Sequence, residues 1–296
     1  MNVLSLFDGI SCGMVALERA GIKVDKYYAS EIDKSAIKVS TSNYPKIVQL
    51  GDIRNITEEV LNSIMPIDII IGGSPCQDLS NYKYDRGDVT GLKGEKSSLF
   101  YEFVRILNYV KPKYFLLENV ASMDTKWKSL ISEILKVDPI MINSSLVCAA
   151  ERKRLYWTNI KNITQPKDKG IFLRDIIIDS KYVPDKYWYS KYPITIHEGD
   201  VKVKATIHLN CHRHAKEAYG LNHKCNTLMC DGNDGNLVKK VFQDGRVRKL
   251  TPLEYERLQT LPEGYTDCVS DSKRYSLIGN GWTVDVIAHI FSFIKL

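Results

Sequence analysis

The chain has 296 residues, 44% of them hydrophobic and 26% charged, which is enough to bury a core as one large domain with a smaller lobe. It holds no run of about 18 apolar residues, so a helical membrane span is not expected. The formal net charge of +6, with a pI near 8.8, permits a polyanionic partner without establishing one.

The opening MNVLSLFDGI lacks a basic region and a cleavage site, and reads as a buried strand, not a signal peptide. Strand and helix signals then alternate to about residue 160. Val3 to Phe7 is an apolar run ending at Gly9, followed by a helical pattern through Val15, Ala16, Leu17 and Ala20, with Gly21 as the stop. Tyr27 to Ser30 predicts a second strand, and Asp33 caps a helix reaching Asn43. A third strand is expected to end at Gly51-Asp52. Asp68 to Ile71 and Tyr114 to Leu117 predict further strands around a helix from Leu99 to Val110. Met141 to Val147 and Leu155 to Ile160 close the series. Strands alternating with helices of this length predict an α/β fold with a doubly wound, mostly parallel sheet, whose ligands sit at the carboxyl ends of the strands.

Beyond residue 160 no period persists, and residues 161–261 read as a small lobe. Near its end, Thr251-Pro252-Leu253-Glu254 is a helix start with a capping box and proline at the first helical position. Residues 262–296 read as a segment returning to the first domain, with an apolar helix from Thr283 to Phe293. The expected domains are therefore 1–160, 161–261 and 262–296. Lys239, Lys240, Arg246, Arg248, Lys249 and Arg257 cluster in one stretch, opposed by Asp244, Glu254 and Glu256. They read equally as a solvated basic face or as a polyanion contact.

Seven cysteines without a secreted-type framework predict free thiols in a reducing cytoplasm. His208, Cys211, His212, His214, His223, Cys225 and Cys230 crowd one region, but their spacings fit no standard zinc pattern, and no metal is expected.

Strand, Phe7-Asp8-Gly9, helix is a geometry that seats a nucleotide-like ligand, because glycine admits close backbone approach and a helix N-terminus follows. Glu31 is placed to accept from ribose hydroxyls, and Asp52 from an adenine amino group. The GxGxxG fingerprint and a P-loop lysine are absent, so a cofactor without phosphates fits better. At the reacting end, Cys76 sits in the polar, proline-fixed turn Gly73-Ser74-Pro75-Cys76-Gln77, a poor place for a packing cysteine and a good one for a nucleophile. Asn81 to Ser97 has the composition of a lid. Glu118 follows another apolar strand and reads as a proton donor or hydrogen-bond partner to the substrate. Arg152 and Arg154 lie on one face of a strand and suit an anionic or carbonyl-bearing substrate.

This set resembles the DNA (cytosine-5) methyltransferase family across nearly the whole chain and in the family's order. Leu4-Ser5-Leu6-Phe7-Asp8-Gly9 resembles the cofactor motif, Pro75-Cys76-Gln77 the catalytic motif, Glu118-Asn119-Val120 the substrate-protonating motif and Arg152-x-Arg154 the arginine pair. Thr227-Leu228 resembles the signature of the target-recognition region, Arg248 through Gln259 the helix that organises it, and Gly279-Asn280-Gly281 the final cofactor-wall motif. The details FDGI and GGSPC-x-DLSN are similar to the de novo branch, here as a stand-alone bacterial or phage enzyme. Ala150, Cys12 and Gly281 depart from the usual residues, and none of them removes a catalytic group.

The resemblance implies the class I S-adenosylmethionine-dependent methyltransferase fold with a target-recognition lobe. It implies S-adenosyl-L-methionine as cofactor, S-adenosyl-L-homocysteine as product, and double-stranded DNA as substrate. Phe7, Asp8, Gly9, Gly13, Glu31, Ile32, Asp52, Ile53, Pro75 and Asn280 would hold the cofactor. Cys76 would attack a flipped cytosine, Glu118 hold its ring nitrogen 3 and amine, Arg154 meet its carbonyl, and Arg152 brace Glu118 or the nearby backbone. Gln77, Ser80, Thr227, Leu228, Arg246, Arg248, Lys249 and Arg257 would contact DNA. A cognate restriction endonuclease and a cytoplasmic setting go with that reading; a monomer is expected, with oligomers left open. The rivals are a transfer-RNA cytosine-5 methyltransferase, which usually carries a Cys-Phe-Thr tripeptide not found here, and a catalytically silent DNA-binding relative.

Overall fold

The structure is a computed structural model, and it describes residues 1–75, 94, 98–209, 216–228 and 237–295. These form two compact units. The first comprises residues 1–142, 153–165 and 287–296, and the second 143–152 and 166–286.

In the first unit the elements run β1 (Asn2–Leu6), α1 (Cys12–Arg19), β2 (Lys26–Ser30), α2 (Lys34–Asn43), β3 (Val48–Gln49) and α3 (Glu58–Ile64). They continue with β4 (Ile69–Gly73), α4 (Leu99–Val110), β5 (Tyr114–Val120), α5 (Thr125–Leu135), β6 (Ile140–Asn143) and β7 (Lys153–Thr158). The strands form one sheet in the order β3-β2-β1-β4-β5-β7-β6. Pairing is parallel from β3 through β5, while β7 runs antiparallel to β5. The doubly wound, mostly parallel sheet read from the sequence is thus the one observed. Chain order reverses direction at β1, so the crevice between the β1 and β4 carboxyl ends is the switch point where ligands bind in such sheets.

Local chemistry explains the elements. Val3, Leu4, Leu6 and Ile69 to Ile71 are fully buried, the continuous apolar signature of strands covered on both faces. Asp33 caps α2 by accepting from the Ser35 and Ala36 amides at 2.7 and 3.4 Å, as the sequence predicts. Gly72 is required by packing, because a Cβ there would lie 2.8 Å from the Leu6 carbonyl oxygen and 3.2 Å from the Phe103 ring. Leu4, Leu6, Ile70, Phe100, Phe103 and Trp157 anchor the core.

The second unit carries a sheet of β8 (Ile194–Ile196), β9 (Val203–Ile207), β10 (Glu217–Tyr219), β11 (Lys240–Gln243) and β12 (Arg246–Lys249), in the order β12-β11-β10-β9-β8. Only the β10–β11 pairing is parallel among those described. Then follow α6 (Pro252–Leu258), α7 (Asp271–Asn280) and α8 (Val284–Phe291), the last crossing from the second unit to the first. Thr251 caps α6, and its capping box with Glu254 is formed. The expected boundaries differ from these units: residues 143–152 and 262–286 belong to the second, while 161–165 and 287–296 belong to the first.

The basic stretch folds inward. Arg248 and Glu254 are both fully buried and pair at 2.6 Å, with Gln243 accepting from Arg248 Nε at 2.6 Å. Lys239 and Lys240 are buried too. Arg257 donates to the Ile176 carbonyl at 2.7 Å and pairs with Glu263 at 2.7 Å. Removing one member of a buried pair strands the other's charge. Arg248→Met is therefore expected to cost about 3–5 kcal/mol by urea unfolding. Removing the same charge at exposed Arg246, which stacks 4.0 Å from the Trp188 ring centroid, should cost about 1 kcal/mol or less. Equal costs at the two positions would show that the buried pair does not organise the lobe.

Candidate active site

The carboxyl ends of β1, β2, β4 and β5 lie along one rim of the first unit, where parallel pairing puts successive strand ends side by side. Gly73 of β4 is in register with Glu118 of β5, and Val120 of β5 with Arg154 of β7. Glu118 Oε1 and Arg154 Nε are 2.8 Å apart, with side chains 11% and 14% exposed. One residue on, Asn119 Nδ2 donates to the carbonyl and hydroxyl oxygens of Ser74 at 3.2 and 3.1 Å. That bond pins the backbone immediately before Pro75. Asn119, which the sequence marks only as part of a motif, couples the glutamate strand to the start of the cysteine turn. Cys76, Gln77 and Ser80 lie outside the described residues, as does the Asn81 to Ser97 loop apart from Gly94.

Both arginines have partners in the fold. Arg154, expected at a substrate carbonyl, pairs with Glu118. Arg152 lies in the second unit, where its guanidinium donates to the Gly279 and Gly281 carbonyls, each at 3.1 Å. It thereby fixes the backbone on either side of Asn280. Gln259 donates to the same Gly281 carbonyl at 3.1 Å.

The turn after β1 winds through left-handed backbone at Phe7, Gly9 and Ser11, with φ of 58°, 60° and 59°. A Cβ on Gly9 would meet nothing within 4 Å, so the turn borders open space. Glu31 accepts from the amides of Gly9, Ile32 and Asp33 at 2.8, 2.7 and 2.9 Å. Asp52 caps the short 3-10 turn that contains Ile53 and pairs with Arg54 at 2.5 Å, which holds its carboxyl below the usual carboxylate range. Ile32 stands 68% exposed beside Glu31, and Gly13 is buried in α1. An open glycine turn flanked by two acids and an exposed aliphatic residue suits an uncharged sugar and base, with no phosphate cradle.

In the second unit, Thr227 Oγ1 donates to the Glu151 carbonyl at 2.7 Å, and Leu228 is buried. Of the residues assigned to DNA, Arg246 is exposed and Lys249 half-buried over the Tyr189 ring. Arg248 and Leu228 are placed as packing residues, which is at odds with a contact to phosphate or base. Burial pushes the Cys225 thiol up to about 12 and raises Cys148 as well, so neither suits a nucleophile. His208 and His223 hydrogen-bond to Thr195 and Asp200 at 2.8 and 3.1 Å. Cys211, His212, His214 and Cys230 lie outside the described residues.

Solved methyltransferases share this fold. The Entamoeba histolytica methyltransferase EhMeth superposes with a TM-score of 0.74 at 18% identity, over 99% of this chain and 97% of its own. The S. pombe Dnmt2 methyltransferase does so with a TM-score of 0.71 at 18% identity, over 99% and 97%. The fold is therefore that of class I methyltransferases, with a second, smaller sheet. The model of the C-5 cytosine-specific DNA methylase family matches residues 1–296, and the chain belongs to that family, which uses S-adenosylmethionine as methyl donor. It is 28% identical to the type II methyltransferase M1.ScrFI of Lactococcus lactis subsp. cremoris, over 97% of this chain and 76% of that protein. It is 27% identical to M.NgoPII of Neisseria gonorrhoeae, over 100% and 95%, and 27% identical to M.HpaII of Haemophilus parainfluenzae, over 96% and 86%.

Proposed function

We propose that this chain methylates carbon 5 of a cytosine flipped out of a short, specific duplex DNA sequence, with Cys76 as nucleophile and Glu118 as its partner at the base. The observation that carries the reading is the Glu118–Arg154 pair, 2.8 Å apart on the rim beside Ser74, which Asn119 holds two residues before Cys76. When bound, S-adenosylmethionine supplies an electrophilic methyl group.

Carbon 5 of cytosine is a weak nucleophile. Addition of the Cys76 thiolate to carbon 6 breaks aromaticity and moves electron density to carbon 5. Glu118 holds ring nitrogen 3 and the exocyclic amine as charge develops there. Arg154 keeps Glu118 oriented and presents its remaining donors to the carbonyl oxygen of the base. Loss of the carbon 5 proton then expels the thiolate and restores the ring. A base stacked in a duplex cannot reach these groups, so it must be extruded.

For the cofactor, Phe7, Asp8, Gly9, Gly13, Glu31, Ile32, Asp52, Ile53, Pro75 and Asn280 remain the assigned set. Arg246, Lys249 and Thr227 are the better-placed candidates for DNA, with phosphate contact supplying affinity and base edges the specificity. The type II relatives support a cytoplasmic modification enzyme, paired with a restriction endonuclease of the same specificity.

The test is to incubate purified protein with methyl-labelled S-adenosylmethionine and either plasmid DNA or transfer RNA, then map modified cytosines by conversion sequencing. Label at carbon 5 in one short DNA context is expected. Label only in RNA would replace the duplex substrate, and no label in either would reduce the chain to a DNA-binding relative.

A further inference from the structure

Ser11 is the N-cap of α1, yet its hydroxyl makes no capping bond to the helix. It donates instead to Asp8 Oδ2 at 2.5 Å and lies 2.6 Å from the Ser40 hydroxyl of α2. The Tyr27 hydroxyl of β2 donates to Asp8 Oδ1 at 2.7 Å. Asp8 thus gathers hydroxyls from its own turn and from the neighbouring strand, while the Asp8 amide donates to the Ser30 carbonyl at 3.1 Å. Phe7 and Ser11 both occupy left-handed backbone, which non-glycine residues hold only when their surroundings enforce it. Giving up the cap is a loss for the helix, so the diverted hydroxyl must serve the turn.

We infer that Asp8 is a positioning residue for S-adenosylmethionine. Its carboxylate, acting through Ser11 and Tyr27, locks the Phe7–Ser11 turn in the shape the cofactor meets, and cofactor affinity therefore depends on Asp8 being ionised. The inference rests on reading that turn as the cofactor's seat.

The electrostatics point the same way. Burial raises the Asp8 carboxyl to about 6, against the pull of the Ser11, Ser5 and Tyr27 hydroxyls, and the nearby Glu31 charge raises it further. The groups acting on it are the Tyr27 hydroxyl of β2, the Glu31 charge beyond the end of β2, and the hydroxyls of Ser5 in β1 and Ser11 in the turn, with Ser40 of α2 bonded to Ser11 behind them. An ionised carboxylate accepts both hydroxyls. Once protonated it must also donate, and one of those bonds is lost. Affinity is therefore full above the raised value and falls as pH drops through it, and cofactor binding in turn favours loss of the proton.

The experiment measures S-adenosylmethionine binding to the full chain without DNA from pH 5 to 8. With the protonated form binding about tenfold more weakly, one group titrating at about 6 predicts a roughly fivefold loss of affinity from pH 7 to 5. Asp8→Asn, which cannot ionise, should bind about tenfold more weakly at pH 7.5 and show no pH dependence in this range. In turnover the loss should fall on KM for the cofactor, with kcat lowered less than about threefold. Tyr27→Phe should move the midpoint to higher pH, because it removes a donor that favours the carboxylate. Asp8→Asn with wild-type affinity or an unchanged pH profile would overturn the inference, and so would an unmoved midpoint in Tyr27→Phe. Should Asp8→Asn fail to fold, the Tyr27→Phe midpoint decides alone. Gly9→Val fills the seat itself and should lose binding at every pH; normal binding there would remove the seat and with it the role of Asp8. Because the readout needs no DNA, it stands apart from the reaction assigned to Cys76.

Discussion

Cys76→Ala is expected to stop methyl transfer while leaving binding of duplex DNA within about threefold of the wild type. The argument is chemical: without covalent addition at carbon 6, carbon 5 lacks the electron density to take a methyl group. Removing a nucleophile from an otherwise intact site costs at least about 10⁴ in rate, and binding made by other residues survives it. Single-turnover methylation and a DNA titration at fixed salt measure the two quantities separately. Methylation at near wild-type rate in Cys76→Ala would end this mechanism.

Glu118→Gln should lower the rate of methyl transfer by about 10²–10⁴ with cofactor binding intact. Glutamine fills nearly the same volume on β5 but can neither carry the charge nor supply an acid's proton to ring nitrogen 3. The Arg154 pair gives the change a second consequence. A guanidinium only 14% exposed loses its carboxylate at 2.8 Å, so some stability is lost as well. The two effects separate cleanly. A purely structural glutamate would lower the unfolding midpoint and leave turnover per folded molecule untouched. A mild rate effect in folded protein would therefore show that the glutamate does not serve the base.

The first unit was largely legible because β1 and β4 are buried on both faces and Asp33 caps α2. The apolar run ending at Ile71 reads as an interior strand, and Asp33 marked its helix by chemistry that the folded chain uses. Phe7, Glu31 and Glu118 were read together as candidates because a parallel sheet collects its carboxyl ends on one rim. Neither α3 nor α5 is among the expected elements, although Trp127, Ile131 and Leu135 in α5 follow helical spacing and Asp124 caps it.

The second unit resisted reading for a physical reason. Its strands have three to five residues, too few for alternation to stand out from chance. Charge read along the chain also misled. Arg248 looks like one more member of a basic stretch, and only the turn from β12 into α6 brings Glu254 back onto it. The partition between Arg152 and Arg154 is of the same kind. Their positions two residues apart give a shared face, but the partners come from β5 in one case and the Gly279–Gly281 backbone in the other.

The measurement closest to the central claim uses duplex DNA carrying the mapped methylation context, with 5-fluorocytosine at the target. Fluorine at carbon 5 leaves no proton to lose, so the thiol cannot be expelled after methylation. The account predicts a denaturation-stable complex of protein, DNA and one methyl group, with the DNA attached to the peptide containing Cys76. Methylation without any covalent complex, or attachment at another residue, would contradict it.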